Sequence, residues 1–91
     1  MLGWILLGAL FTGVAVGVII IVAPHFDKKT AKTHMKKNKV KMAWVKDIVK
    51  SDKVVHIDLD GLDEDGNSVE IQVTTDNYDE KQIIKGIMIY G

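Results

Sequence analysis

The sequence predicts a single-pass α-helical membrane anchor followed by a small mainly-β domain. An apolar run without a charged residue fills Leu2–Ala23, and a lysine-rich tract follows it. Beyond residue 39, apolar and polar residues alternate in short runs bounded by turn residues. We therefore divide the chain into a transmembrane helix with interfacial ends (1–26), a lysine-rich juxtamembrane linker (27–38) and a small β-domain (39–91).

The N-terminal apolar run has the length of a membrane span. Its residues at a rise of about 1.5 Å form a helix of about 33 Å, which matches a hydrocarbon core of about 30 Å. The run also lacks the polar stripe that a soluble core helix turns to solvent. A cleaved signal peptide is disfavoured because no basic residue precedes the run and Pro24 follows the candidate cleavage site.

The charges that flank the span predict its orientation. No Lys or Arg precedes it, whereas seven Lys follow it between residues 28 and 41. The positive-inside bias then predicts an N-out, C-in protein of the inner (plasma) membrane, with its C-terminal domain in the cytoplasm.

Small residues recur along one face of the predicted helix, at Ala9, Gly13 and Gly17. This spacing lets two helix backbones approach closely, and it predicts a helix–helix interface with a membrane-protein partner or a second copy. The alternative is that these glycines have no such role, since glycine is common in membrane helices.

The lysine-rich tract predicts contact with anionic lipid, where each Lys contributes on the order of 1 kcal/mol near the leaflet. An alternative is that the tract sets only the topology and is otherwise a solvated linker. A nucleic-acid tether is unlikely because the tract has neither Arg nor aromatic residues for base stacking. The lysines predicted to contact lipid are Lys28, Lys29, Lys32, Lys36 and Lys37.

Alternating patterns predict the strands of the β-domain. The first strand covers about 39–49, with a bulge near Val45, and a hairpin follows with Leu59 opposite Ile71 and Gly66 in a left-handed position. A short helical turn through about 76–84 and a final strand near 87–90 complete the domain. Four to five antiparallel strands of this kind predict an SH3-like or OB-like, partly open barrel with one short helical turn.

Composition argues against an enzyme. The chain has no Cys, which excludes disulfides, thiolate metal sites and a Cys nucleophile. No serine lies where a nucleophile and a base could be paired, no glycine-rich phosphate loop is present, and the acidic turn near Gly66 fails the calcium-loop pattern. We therefore expect no catalytic residue, no cofactor and no metal.

The favoured function is that of a non-catalytic membrane protein whose cytoplasmic β-domain binds or positions a protein partner, as an accessory subunit or membrane adaptor. One alternative is a membrane-active lysis or exclusion factor of the phage type, acting through oligomers of the span. The other is a lysine-tract tether for nucleic acid at the membrane. The use of Lys without any Arg fits an AT-rich genome and hence a bacterial or phage origin.

Overall fold

Five strands and one helix follow one another in the structure, a computed structural model that describes residues 17–91. The helix α1 (Lys28–Lys37) lies between the first two strands in the chain. The strands form one sheet, in the order β1-β4-β3-β2-β5. Their bounds are Gly17–Phe26 for β1, Val40–Lys50 for β2, Val55–Asp63 for β3, Ser68–Tyr78 for β4 and Met88–Tyr90 for β5.

β1 lies at one edge of this sheet and runs parallel to β4, whereas the other neighbouring strands are antiparallel. The consecutive β-branched residues 18–22 favour its extended conformation, because branching at Cβ fits a pleated surface better than a helix. Pro24 is tolerated because a strand at a sheet edge can lack one N–H donor.

The predicted transmembrane helix, and with it the membrane anchor, is wrong. Gly17–Phe26, assigned to the C-terminal part of that helix, form β1, and no helix within residues 17–91 is long and apolar enough to cross a membrane. Residues 1–16 lie outside the described part of the chain. The prediction failed because strands in parallel pairs also read as continuous apolar runs. The N-out, C-in orientation stays a prediction.

The predicted barrel is also wrong, because the sheet is open and has β1 and β5 as its two edges. A helix layer on one side of the sheet covers the core that barrel closure would otherwise enclose. The helical turn expected through 76–84 is confined to 79–83, where the Ile83 N–H donates to the Asp79 carbonyl at 2.9 Å. β4 continues to Tyr78, and the Asp79 carboxylate then accepts hydrogen bonds from the N–H groups of Lys81 and Gln82 in a turn.

The tract assigned to a linker, residues 27–38, contains α1. Asp27 is its N-cap, and its carboxylate accepts a hydrogen bond from the Thr30 N–H at 2.8 Å. That backbone donor lowers the pKa of Asp27 from its ordinary value. Ala31 and Met35 are buried against the sheet, so this short helix is held by packing rather than by helix propensity.

The core lies between α1 and the inner side of the sheet. Alternate residues of the central strands reach it, including Ile57 and Leu59 of β3, and Phe26 closes it at the end of β1. The hairpin register is confirmed, with Leu59 opposite Ile71 and Ile57 opposite Val73. The first predicted strand and its bulge are confirmed in β2, where the register shifts after Val45.

We predict that Gly66→Ala lowers the free energy of unfolding by about 1 kcal/mol, because Gly66 has φ +84° and left-handed backbone strains an L-residue. Chemical denaturation measures the change. Gly17→Ala is the matched control, since open space surrounds Gly17 and its φ is not left-handed. Equal effects of the two substitutions would contradict the assigned turn.

Candidate functional site

One face of α1 carries a cluster of lysines. Lys28, Lys32 and Lys36 follow at intervals of four residues, and Lys29 lies beside them, so the four fall within an arc of about 100° on the helix. Lys28 is half-buried and the other three are exposed. We call these four residues the lysine face. Lys37 is also exposed but lies farther round the helix.

Both ends of α1 are fixed by polar contacts, which hold the lysine face in place. At the N-terminus, the Lys28 N–H donates to the Gln82 side-chain oxygen at 3.1 Å, in addition to the Asp27 cap. At the C-terminus, the Asn38 side chain donates to the His34 carbonyl at 2.8 Å. The lysines therefore project from an anchored helix and not from a flexible tail.

The lysine face surrounds an open recess of about 400 Å³, lined by Lys28, Lys29, Lys32, Thr33 and Lys36. Within residues 17–91 the ion pairs are His25–Asp27, Lys50–Glu80 and Lys85–Asp47, so none of them involves a lysine of α1. Four ammonium groups thus share one surface without a carboxylate partner from the described chain.

The first turn of α1 makes this arrangement costly for the helix. It contains Lys28 and Lys29 and no acidic residue, although the positive end of the helix dipole favours carboxylates there. The basic residues of the last turn, by contrast, are favourably placed. The Asp27 N-cap carboxylate lies at this end of the helix and offsets part of the repulsion, and a bound anion would add to it.

The opposite side of the sheet is acidic. Asp58 and Asp60 alternate along β3 with buried residues, so they point away from α1. Asp58 lies directly opposite Asp47 of β2, and Asp60 lies directly opposite Glu70 of β4. These two like-charge pairs are destabilising in themselves. We call Asp47, Asp58, Asp60 and Glu70 the acidic face.

The charge of Asp58 is disfavoured in the fold. Partial burial, followed by the charges of Glu70 and Asp47, raises the pKa of Asp58 above its ordinary value of 3.8. Ionisation of Asp58 within the acidic face therefore lowers the stability of the fold.

A patch of aromatic and methionine side chains borders the acidic face at the other edge of the sheet. Met42 is paired with Tyr90 and Trp44 with Met88, on either side of the buried pair Ala43 and Ile89. Trp44 and Met42 are half-buried, whereas Tyr90 is 59% exposed. Side chains of this kind are enriched in the centres of protein interfaces.

The structure brings some of the predicted site residues together and separates others. Four of the five predicted lipid-contact lysines form the lysine face, and the fifth, Lys37, lies at the end of α1. Gly17, the last residue of the predicted helix–helix interface, is the first residue of β1 and therefore lies in a strand. Ala9 and Gly13 lie outside the described residues.

The acidic face was not assigned as a site from the sequence, although the alternation along β3 places Asp58 and Asp60 on the polar side of the hairpin. The hairpin register that places Leu59 opposite Ile71 also places Asp60 opposite Glu70. Asp47 could not be placed, because its side of β2 depends on the bulge that follows Val45. In residues 17–91, no group of three or more His, Asp or Glu side chains is arranged to hold a metal ion.

We predict that Asp58→Asn stabilises the fold at pH 7 and raises its melting temperature. The expected gain in the free energy of unfolding is about 0.5 kcal/mol, and it is small because solvent screens this partly exposed position. Because the pKa of Asp58 is raised in the fold, ionisation destabilises the folded state above the ordinary pKa. The gain should therefore disappear as the pH falls below about 3.8. Asp52→Asn removes the same charge from the exposed turn after β2 and serves as control. A gain that persists at low pH would contradict this interpretation.

Comparison with known proteins gives no match, since no family model, curated protein or solved structure is similar to the chain. The functional argument therefore rests on the geometry of the lysine face, the acidic face and the patch beside it.

Proposed function

We propose that this protein is a non-catalytic adaptor. Its lysine face binds anionic phosphate headgroups at a lipid surface, and the open side of its sheet, which faces away from that surface, binds a protein partner. The observation that carries the proposal is the separation of charge across a single sheet. The lysine face lies on the helix side, and the acidic face lies on the other side.

This separation of charge supports one docking orientation. An anionic surface attracts the four lysines and repels the four carboxylates, so both interactions turn α1 toward the surface. Lys28 and Lys29 in the first helical turn support the same orientation, because phosphate oxygens would add to the Asp27 carboxylate in offsetting their repulsion from the helix dipole.

The residue types of the lysine face favour headgroups over nucleic acid. Each ammonium is a compact point charge that suits a fluid array of phosphates. The helix Lys28–Lys37 contains no Arg for bidentate contacts and no aromatic side chain for stacking on bases. Nucleic-acid binding would therefore depend on charge alone.

The patch next to the acidic face supports the second half of the proposal. With α1 on the lipid surface, Met42, Trp44 and Tyr90 lie on the far side of the sheet, accessible to a protein. A partner with basic residues beside an apolar contact would complement both the carboxylates and this patch.

We predict that the triple variant Lys28→Gln, Lys32→Gln, Lys36→Gln binds vesicles containing roughly a third phosphatidylserine about 100-fold more weakly than the unmodified chain. The estimate takes about 1 kcal/mol for each lysine. Co-sedimentation of the full chain, corrected for binding to neutral phosphatidylcholine vesicles, measures the electrostatic part of the affinity. That part should also fall steeply with salt.

The matched control is Lys46→Gln, Lys53→Gln, Lys81→Gln, which removes the same charge from exposed positions outside α1. This control should bind like the unmodified chain. Equal losses in the two triple variants, or tighter binding to duplex DNA than to the anionic vesicles, would contradict the proposal.

Orientation can be tested separately through Trp44. In a Trp4→Phe background, brominated lipids in the anionic vesicles should leave the fluorescence of Trp44 unquenched, because Trp44 lies on the side of the sheet opposite α1. Quenching of Trp44 on vesicle binding would show that the open side meets the lipid.

A further inference from the structure

We infer that the outer edge of β1, which has no strand partner within residues 17–91, pairs with the β1 edge of a second copy of this chain, giving a two-fold symmetric dimer with a continuous ten-stranded sheet. In the proposed register the two strands run antiparallel and Ile20 lies opposite Ile20 of the second copy. This dimer contact involves neither the lysine face nor the acidic face.

Residues 17–23 of β1 lack the features that usually protect a sheet edge. Natural edge strands are short, carry charged residues or Pro, or contain bulges that block further pairing, and the Pro of β1, Pro24, lies near its C-terminal end. Within the described residues β1 pairs with β4 on one side alone, without a register shift, and Gly17–Phe26 contains no Lys, Arg, Asp or Glu. The opposite edge, β5, has three residues and is protected by its shortness.

A row of apolar side chains is exposed on the open side of β1. Val18 is 56% exposed, Ile20 69% and Val22 76%, whereas Ile21 between them is buried. Three consecutive outward positions of one strand thus leave most of their apolar surface in water. Pairing with a second strand would cover part of that surface from the side.

The apolar row Val18, Ile20 and Val22 can pair with the same row of a second copy. When Ile20 lies opposite its own copy, Val18 lies opposite Val22 of the second copy, so each outward apolar residue meets another. This register aligns residues 17–23, about 24 Å of strand, and keeps Pro24, which has no N–H, out of the paired segment. Shifting the register between the two β1 strands by two residues would place Pro24 in the paired segment or shorten that segment.

Charge also favours a second copy as the occupant. Two acids of β4 lie next to β1 on the open side, Glu70 beside Val18 and Asp76 level with Pro24. In the dimer, acids on the two β4 strands are separated by at least three strand spacings, about 14 Å, which exceeds the screening length of about 8 Å at physiological ionic strength. The contact therefore brings no like charges together.

The geometry has a consequence for the whole molecule. The two-fold axis of such an edge contact is perpendicular to the sheet, so both copies of α1 lie on the same side of it. The dimer would present two lysine faces to one surface and two acidic faces to the other.

Single cysteines in this cysteine-free chain test the pairing directly. A disulfide needs Cα atoms about 4.4–6.8 Å apart, and directly opposite residues of an antiparallel pair lie within that range. Under mild oxidation of the full chain, Ile20→Cys should form covalent dimers. Val18→Cys and Val22→Cys should each stay monomeric, because each lies about 13 Å from its own copy, but an equimolar mixture of these two variants should cross-link.

Val49→Cys, at an exposed position of β2 on the same side of the sheet, is the control and should not cross-link. Circular dichroism should show native strand content for every variant. Cross-linking of all four single variants would indicate unspecific association, and absence of cross-linking at residue 20 would show that this edge is covered by something else. Either result would overturn the inference.

A charge pair provides a second, reversible test. Ile20→Lys and Ile20→Glu each place like charges opposite each other and should raise the dimer dissociation constant by about tenfold or more, equivalent to about 1.4 kcal/mol. Mixing the two variants should restore dimers in analytical ultracentrifugation. If the mixture is no more dimeric than either variant alone, the two strands do not face each other.

Discussion

The parallel pairing of β1 with β4 is the constraint on which the rest of the structure depends. β1 and β2 run in the same direction but lie at opposite sides of the β3–β4 hairpin, so the chain between them must cross the sheet. A connection of this kind is usually helical, and α1 fulfils that role with two buried residues, Ala31 and Met35, packed on the sheet. The same pairing brings Ile21 and Phe26 into the core.

The crossing helix also determines where the charges lie. Since α1 must cover the inner side of the sheet, its lysines project on that side, and the polar residues of β3 and β4 are left on the other. The net charge of the chain is zero, yet its two sides carry opposite charge. This two-sided charge, and not a catalytic pocket, is the feature that suggests a function. The separation of charge across the sheet follows from the topology as much as from the amino-acid composition.

Sequence reasoning succeeded where side chains alternate and failed where they do not. The β3–β4 hairpin was predicted to the residue, because Ile57 and Leu59 must share a face with Ile71 and Val73. β1 was mistaken for helix, since a strand with apolar residues on both sides has no period of two and matches a membrane span in hydropathy. Its β-branched residues 18–22 were the available signal. α1 offered two apolar positions, too few for a helical pattern, although Asp27 was a recognisable N-cap.

The central claim, that Gly17–Phe26 form a strand beside β4, can be tested most directly by nuclear Overhauser contacts in an isotope-labelled full chain. We expect backbone contacts between Ile19 and Ile71 and between Ile21 and Val73, together with slow amide exchange on the paired side of β1. Sequential amide–amide contacts typical of a helix through residues 17–23, without contacts to β4, would contradict it.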